Sequence, residues 1–268
     1  MLSLAYLMAA CLSIGEISTP TALSAAVQSA PASSIPSAAD ANTERPLVAI
    51  IIDDIGYQAR LGEAAASLPG PYALAVMPFA PHSQRLASLA VASNKNVILH
   101  LPMEAHTKNH LLGPGALFSH MSDGEVHAAL KSALASLPQA IGVNNHMGSL
   151  LTSRRESMDV LMQAIAEHKD LFFVDSKTSQ RSAARRAASS HGVRAVERHI
   201  FLDNEPIRAY VQKQLSRLVE RAKAHGHALA IGHPYPATLA SLRNWQPETF
   251  GVSLVSLSEY VANLNRDH

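Results

Sequence analysis

Eight short apolar runs recur between Leu47 and Val255, separated by longer amphipathic stretches, and nothing else in the chain constrains its fold as tightly. They are LVAIII (47–52), ALAVM (73–77), VILHL (97–101), AIGVN (140–144), LFFVD (171–175), RAVERHIFL (194–202), ALAI (228–231) and VSLV (252–255). Most are continuously apolar rather than alternating, the pattern of strands buried on both faces of a parallel sheet. A strand–helix unit repeated about eight times predicts an α/β fold: a distorted (β/α) barrel of seven to eight parallel strands. A doubly wound open sheet is the alternative. No Gly-rich phosphate fingerprint follows the first run, which argues against the dinucleotide-binding version of that fold.

The helical stretches carry their own punctuation. Ser122-x-x-Glu125 and Ser153-x-x-Glu156 have capping-box spacing, in which each side chain satisfies a backbone donor at a helix start. Asn204 is placed to cap a helix with Pro206 in its first turn, with Ile207, Val211, Leu215, Leu218 and Ala222 on one stripe and Gly226 after the last turn. Between Glu104 and Ser122 lies a long loop containing His106, His110 and His120, which read as solvated.

Residues 2–15 are apolar and uncharged, too short to span a bilayer, where about 20 residues are needed. Residues 1–26 read as a signal peptide or N-terminal anchor, and the Ser/Ala/Pro-rich stretch 27–46 as a flexible linker. The barrel domain is then 47–268, and the protein is expected in the periplasm or exported to the cell envelope. Contact with a membrane is expected only through an uncleaved N-terminal segment. The single cysteine is Cys11, so any metal in the domain must be held by His, Asp or Glu, and the chain has 14 histidines. With 22 basic and 21 acidic residues, nothing supports a polyanion-binding surface, and nucleic acid is set aside as a partner.

The polar residues at the ends of the runs carry the functional signal. Asp53-Asp54 end the first, His100 sits near the end of the third, and Asn144-Asn145-His146 end the fourth. Asp175 ends the fifth, Asp203 follows the sixth, and His233 follows the seventh. In a parallel barrel these ends share one face, so residues distant in sequence converge. Each has an ordinary reading too. Asp203 reads best as a helix N-cap, and Asp175-Ser176 could cap a helix near Thr178. Asn144 and Asn145 could satisfy loop backbone, His100 could be a hydrogen-bonded core histidine, and His233 turn material. Together they suit metal-assisted hydrolysis. Asp54, His100 and His146 supply one carboxylate and two imidazoles, Asp53 is a base beside them, and His233 is an acid on another strand end.

The segments IIDDIG (51–56), LHLPMEA (99–105), GVNNHMGS (142–149), FFVDSKT (172–178), FLDN (201–204) and IGHPYP (231–236) resemble the divergent polysaccharide deacetylase family, a bacterial envelope branch of the polysaccharide deacetylase superfamily. The resemblance implies a distorted barrel, a divalent metal (usually zinc), and removal of acetyl groups from an N-acetylated envelope glycan or another acetylated carbohydrate. Carried over, it makes Asp53 the base, Asp54 and His100 metal ligands, and His233 the late catalytic histidine. The superfamily's second histidine ligand falls on Glu104, so either Glu104 coordinates or His146 takes that place, with His146 preferred. The superfamily's base-orienting arginine has no match, leaving Asp175 or Lys177 to do that work; Asn145 is a further candidate at the same face. Tyr57 and Tyr235, followed by Phe79 and Phe118, are placed to stack on sugar rings, while Trp245 is expected in the core. The alternative function is a catalytically weak or inactive barrel that binds glycan or an envelope partner.

Overall fold

The computed structural model describes residues 45–265, so the expected leader at 1–26 and nearly all of the linker at 27–46 lie outside the described residues. The first run becomes strand β1 (Leu47–Ile55), followed by helix α1 (Ala59–Ala66), β2 (Ala73–Val76) and α2 (Ser83–Ala92). Next come β3 (Val97–Met103), α3 (Asp123–Ser136), β4 (Gly142–Met147), α4 (Arg155–Ala166), β5 (Phe172–Asp175) and α5 (Ala184–Ser190). The chain ends with β6 (Ala195–Glu197), β7 (Ile200–Phe201), α6 (Arg208–His225), β8 (His227–Gly232), α7 (Pro236–Arg243), β9 (Ser253–Leu254) and α8 (Leu257–Leu264).

All strand pairs are parallel, in the order β6-β5-β4-β3-β2-β1-β8-β7, and β9 adds a short pairing to β1. The run at 194–202, expected as one strand, is two. Arg198 N–H donates to Asp175 O on the β5 side at 2.9 Å, while His199 N–H donates to Leu229 O on the β8 side at 2.9 Å. The chain therefore changes edges between consecutive residues. Strands at opposite edges of the sheet are joined by a tether of about 11 Å at most, so the sheet must curl until its edges meet. This is the distorted (β/α) barrel, with a seam between β6 and β7.

Alternate residues of β1 enter different cores. Val48, Ile50 and Ile52 pack under the helices, whereas Ala49 and Ile51 face the interior with Ala73, Ala75, Ile98, Val174, Leu229 and Ile231. Both faces are apolar, which is why the run reads as continuous. Leu257, Tyr260 and Val261 of α8 join the interior cluster. Tyr260 Oη lies 2.9 Å from His227 Nδ1, so α8 packs beside the start of β8, at the end of the barrel away from the strand C-termini.

Local signals were kept in some places and overridden in others. Glu125 accepts from both the backbone N–H and the hydroxyl of Ser122, at 2.8 and 2.7 Å, completing the box that starts α3. At the second site, Ser153 ends a 3-10 turn and donates its hydroxyl to Leu150 O at 2.6 Å, so α4 starts behind Arg154 instead. Asn204 and Pro206 do not start α6. Ile207 N–H bonds Glu205 O at 2.8 Å in a tight turn, and the helix begins at Arg208 with Ile207 exposed. The buried stripe runs from Val211 through Leu215 and Leu218 to Ala222, and Gly226 closes the helix in the left-handed region, as expected. No helix begins near Thr178, because Asp175 Oδ1 accepts from Lys177 N–H in a local turn and α5 starts at Ala184. Trp245 packs on the outer core only partly buried. Among the described residues, no helix is long and apolar enough to cross a membrane.

Candidate metal centre

The last turn of β1 separates its two carboxylates. The β1–β2 register shifts between Ile52 and Ile55, and Asp54 sits at φ 60° in the left-handed region. That conformation costs an L-residue on the order of 1 kcal/mol, and such strain tends to collect where function requires it. Asp53 consequently stays inside, 3% exposed, while the Asp54 side chain reaches the mouth at 36%.

Two further strands bring imidazoles to Asp54. Its Oδ1 lies 3.0 Å from His100 Nε2 on β3 and 2.9 Å from His146 Nδ1 on β4; the two nitrogens are 3.1 Å apart. Among the described residues this is the one group of three Asp, Glu, His or Cys side chains whose donor atoms gather within 4.8 Å. A tetrahedral ion with bonds of about 2.0–2.1 Å needs donor atoms roughly 3.3 Å apart, so the triangle fits such a cation. Although burial would raise its pKa, hydrogen bonds to His100 and His146 hold the Asp54 carboxyl well below the usual carboxylate range.

Asp53 lies behind this triangle. Its Oδ1 accepts from Asn144 Nδ2 at 2.8 Å, and its Oδ2 is 3.7 Å from His100 Nε2. Burial pushes its pKa up, against the opposing charges of His100 and His233. Across the mouth, His233 is gripped by Asp203, which accepts from His233 N–H at 2.6 Å, from Nδ1 at 2.9 Å and from Thr238 Oγ1 at 2.7 Å. Asp203 is therefore no helix cap. Gly232 makes the grip possible, since a Cβ there would meet Asp203 Oδ2 at 3.2 Å and Thr238 Cγ2 at 3.1 Å. His233 Nε2 points toward Asp54 Oδ2 at 3.9 Å. Burial alone would lower the His233 pKa, but the bond to Asp203 and the charge of Asp54 push it up to about 9.

The remaining expected residues fall elsewhere. Glu104 stays outside the triangle, its Oε2 accepting from Ser119 N–H at 2.8 Å, whereas His146 is one of its three members. Lys177 Nζ is paired with Glu197 at 2.5 Å and Asp175 with Lys177 N–H, so neither holds Asp53; Asn144 does. Asn145 ties loops together, donating to Met147 O and accepting from Ser176 N–H, both at 2.8 Å. Tyr57 and Tyr235 are exposed, Tyr235 with its ring 5.5 Å from that of His233. Phe79 is exposed as well, and Phe118 stacks on His120 at 5.6 Å. Sequence reasoning put Asn144 and Asp203 at this face but missed their roles, and it missed Arg198 altogether. The Arg198 guanidinium lies 3.6 Å over the Phe201 ring and donates to Ser176 O and Lys177 O at 2.6 and 2.8 Å, fixing the loop after β5. Asn144 could have been found from pairing, because His100 and Asn144 end up directly opposite in the β3–β4 ladder.

A curled parallel sheet with this carboxylate–imidazole cluster at its strand ends defines a class, and residues 50–261 match the model of the divergent polysaccharide deacetylases. The chain belongs to that family. Over 196 residues, 73% of this chain, it is 38% identical to the uncharacterised protein YibQ of Escherichia coli (strain K12), of whose length the match spans 61%. An uncharacterised protein of Haemophilus influenzae is likewise 38% identical over 196 residues, which make up 69% of its length. The crystal structure of an uncharacterised protein from Agrobacterium tumefaciens C58 shares the fold, with a TM-score of 0.76 at 21% identity, covering 81% of this chain and 89% of that one.

Proposed function

We propose that this protein is a metal-dependent hydrolase that removes acetyl groups from an N-acetylated glycan of the cell envelope. One observation carries the reading: Asp54, His100 and His146 converge at the barrel mouth, with buried Asp53 behind them and the Asp203–His233 pair across the opening. Membership of the deacetylase family supports the substrate class. Asp54, His100 and His146 would hold a divalent cation, as the spacing of their donor atoms supports, and the resemblance to the deacetylases favours zinc. When bound, such an ion polarises an acyl oxygen and makes a water molecule more acidic.

The protein's own groups handle the protons. Asp53 accepts one from the water that attacks the acetyl carbonyl, with Asn144 holding its carboxylate in place. His233 enters protonated, with Nδ1–H fixed on Asp203, and gives its Nε2 proton to the leaving nitrogen as the C–N bond breaks. Acetate and a free amine leave. Tyr57 and Tyr235, both exposed, would supply apolar faces for sugar rings. With residues 1–26 read as a leader and 27–46 as a linker, this activity would lie outside the cytoplasm.

The test is metal content and acetate release by the purified full chain. The expected result is about one zinc per chain and acetate from N-acetylated peptidoglycan fragments, with Asp54→Ala losing both. A zinc-loaded wild type that frees no acetate from any acetylated glycan would overturn it. A second reading is favoured by Glu104, which stands where the resemblance puts a histidine ligand but is turned toward Ser119: a barrel that binds glycan with little turnover. Glycan retained equally by wild type and Asp53→Asn, with no acetate from either, would select it.

A further inference from the structure

We infer that the flank of the barrel carries a second carbohydrate site: a cavity between α6 and α7 where Trp245 and Phe250 stack on sugar rings of a glycan strand and the amides of Gln212 and Gln246 bind its hydroxyls. The inference takes the glycan class from the reading above, but neither the metal nor the turnover. Helices α6 and α7 pack together on the outer core, and a cavity of about 450 Å³ opens between α6 and the segment that leaves α7. Small-molecule sites usually measure roughly 300–1,000 Å³. The α6 wall follows from helical spacing. Arg208, Gln212 and Ser216 recur every four residues and form one row, beside the buried Leu215 and Val219. The opposite wall is the connection from α7 to β9. Asn244 ends α7, Trp245 N–H donates to Leu242 O at 3.2 Å, and Pro247–Phe250 forms a 3-10 turn. Pro247 and Val252 are buried, and Ser253 N–H donates to Pro46 O at 2.9 Å, which pins the connection to the start of the barrel. Phe250 nevertheless stays 49% exposed, and Trp245 is only partly buried.

The chemistry of this lining selects a sugar. A pyranose ring offers an apolar C–H face and a rim of hydroxyls that both donate and accept. Trp245 can only donate, and its indole N–H has no acceptor among the described residues. The side-chain amides of Gln212 and Gln246 have no partner there either, so each keeps its donors and its acceptor. Asn244 gives one N–H to Ala240 O at 3.1 Å and keeps its oxygen. Arg208, at the start of the row, adds a planar charge suited to a carboxylate carried on the strand. A purely apolar partner would cover these groups without pairing them, a desolvation cost that opposes docking. Helix α7 starts three residues after His233 and is eight residues long, about 12 Å, so the cavity lies roughly one helix length below the mouth. A strand held there raises the local concentration of its sugars at the mouth.

The experiment uses the chain's only tryptophan, because Trp245 lines the cavity. The full chain, treated with chelator to prevent hydrolysis, is titrated with the N-acetylglucosamine tetramer while tryptophan emission and heat of binding are followed. A saturable change in emission is expected. Phe250→Ala and Gln212→Ala, both at exposed positions, should each weaken it about 3- to 10-fold, the size of one lost contact. Tyr57→Ala, on the loop after β1, should leave the emission change as it is. A wild type whose emission does not respond overturns the inference, whatever heat it gives. So does a response that survives both cavity variants at full strength, or one that disappears in Tyr57→Ala. Uptake of the apolar dye anilinonaphthalene sulfonate in place of the tetramer overturns it in favour of an apolar partner. A wild type that shows the response yet, loaded with zinc, frees no acetate supports this site while the deacetylase reading fails.

Discussion

Asp203 shows how one side chain acquires two meanings. Locally, an aspartate after a strand and before Asn-Glu-Pro looks like a helix cap. Its partners, His233 and Thr238, lie 30 and 35 residues further on, and no window around Asp203 contains them. The same long separations hide Asn144, whose partners are Asp53 and His100, 91 and 44 residues away. The charges of Asp203, Asp54 and Asp53 all favour protonated His233. Replacing Asp203 with Asn keeps an oxygen for the backbone N–H but removes the nearest negative charge. The His233 midpoint, followed by NMR of the ring in the metal-free protein, is expected to fall from about 9 toward the ordinary value near 6.5. An unmoved midpoint would leave Asp54 and Asp53 as the whole cause and remove Asp203 from the acid's machinery.

At the level of elements, the strands were legible because burial on two faces writes an unbroken apolar run, and each of the eight expected runs holds strand in the structure. The break in the run at 194–202 was not legible. A segment that changes edges keeps the composition of one that does not, and only the partners of Arg198 and His199 reveal the switch. His199 stiffens that seam, its Nδ1 accepting from Leu229 N–H at 2.9 Å. Burial, then the charge of Arg221, lowers its pKa to about 4, against roughly 6.5 in an unfolded chain. Between those values the unfolded state binds more protons, so stability rises with pH through the window. The contribution is complete above about pH 6.5 and is lost as pH falls toward 4. Because the ring is partly exposed, solvent screening reduces it to about 1–2 kcal/mol. His199→Asn retains an acceptor for Leu229 without a titrating group. Urea midpoints of the variant should therefore fall less than those of wild type between pH 6.5 and 4.5, and parallel curves would refute the assignment.

For the molecule as a whole, the barrel and the cation site should be thermodynamically linked. The donors of the proposed site come from three strands, β1, β3 and β4, together only when the sheet has curled. An unfolded chain offers no such triangle, so an ion bound there stabilises the native state by mass action. At free zinc one hundred times its dissociation constant the gain is about 2.7 kcal/mol. For a domain of this size each kcal/mol moves the melting temperature by roughly 2–4 °C, so zinc should raise the Tm of the chelator-treated protein by about 5–10 °C. Asp54→Ala should melt at one temperature with or without zinc. Glu104→Ala, whose carboxylate is engaged with Ser119 rather than with the triangle, should keep nearly the full zinc-dependent rise. If Glu104→Ala instead abolished the rise and His146→Ala left it intact, Glu104 would take the ligand place assigned to His146, and the loop after β3 would have to move inward on metal binding.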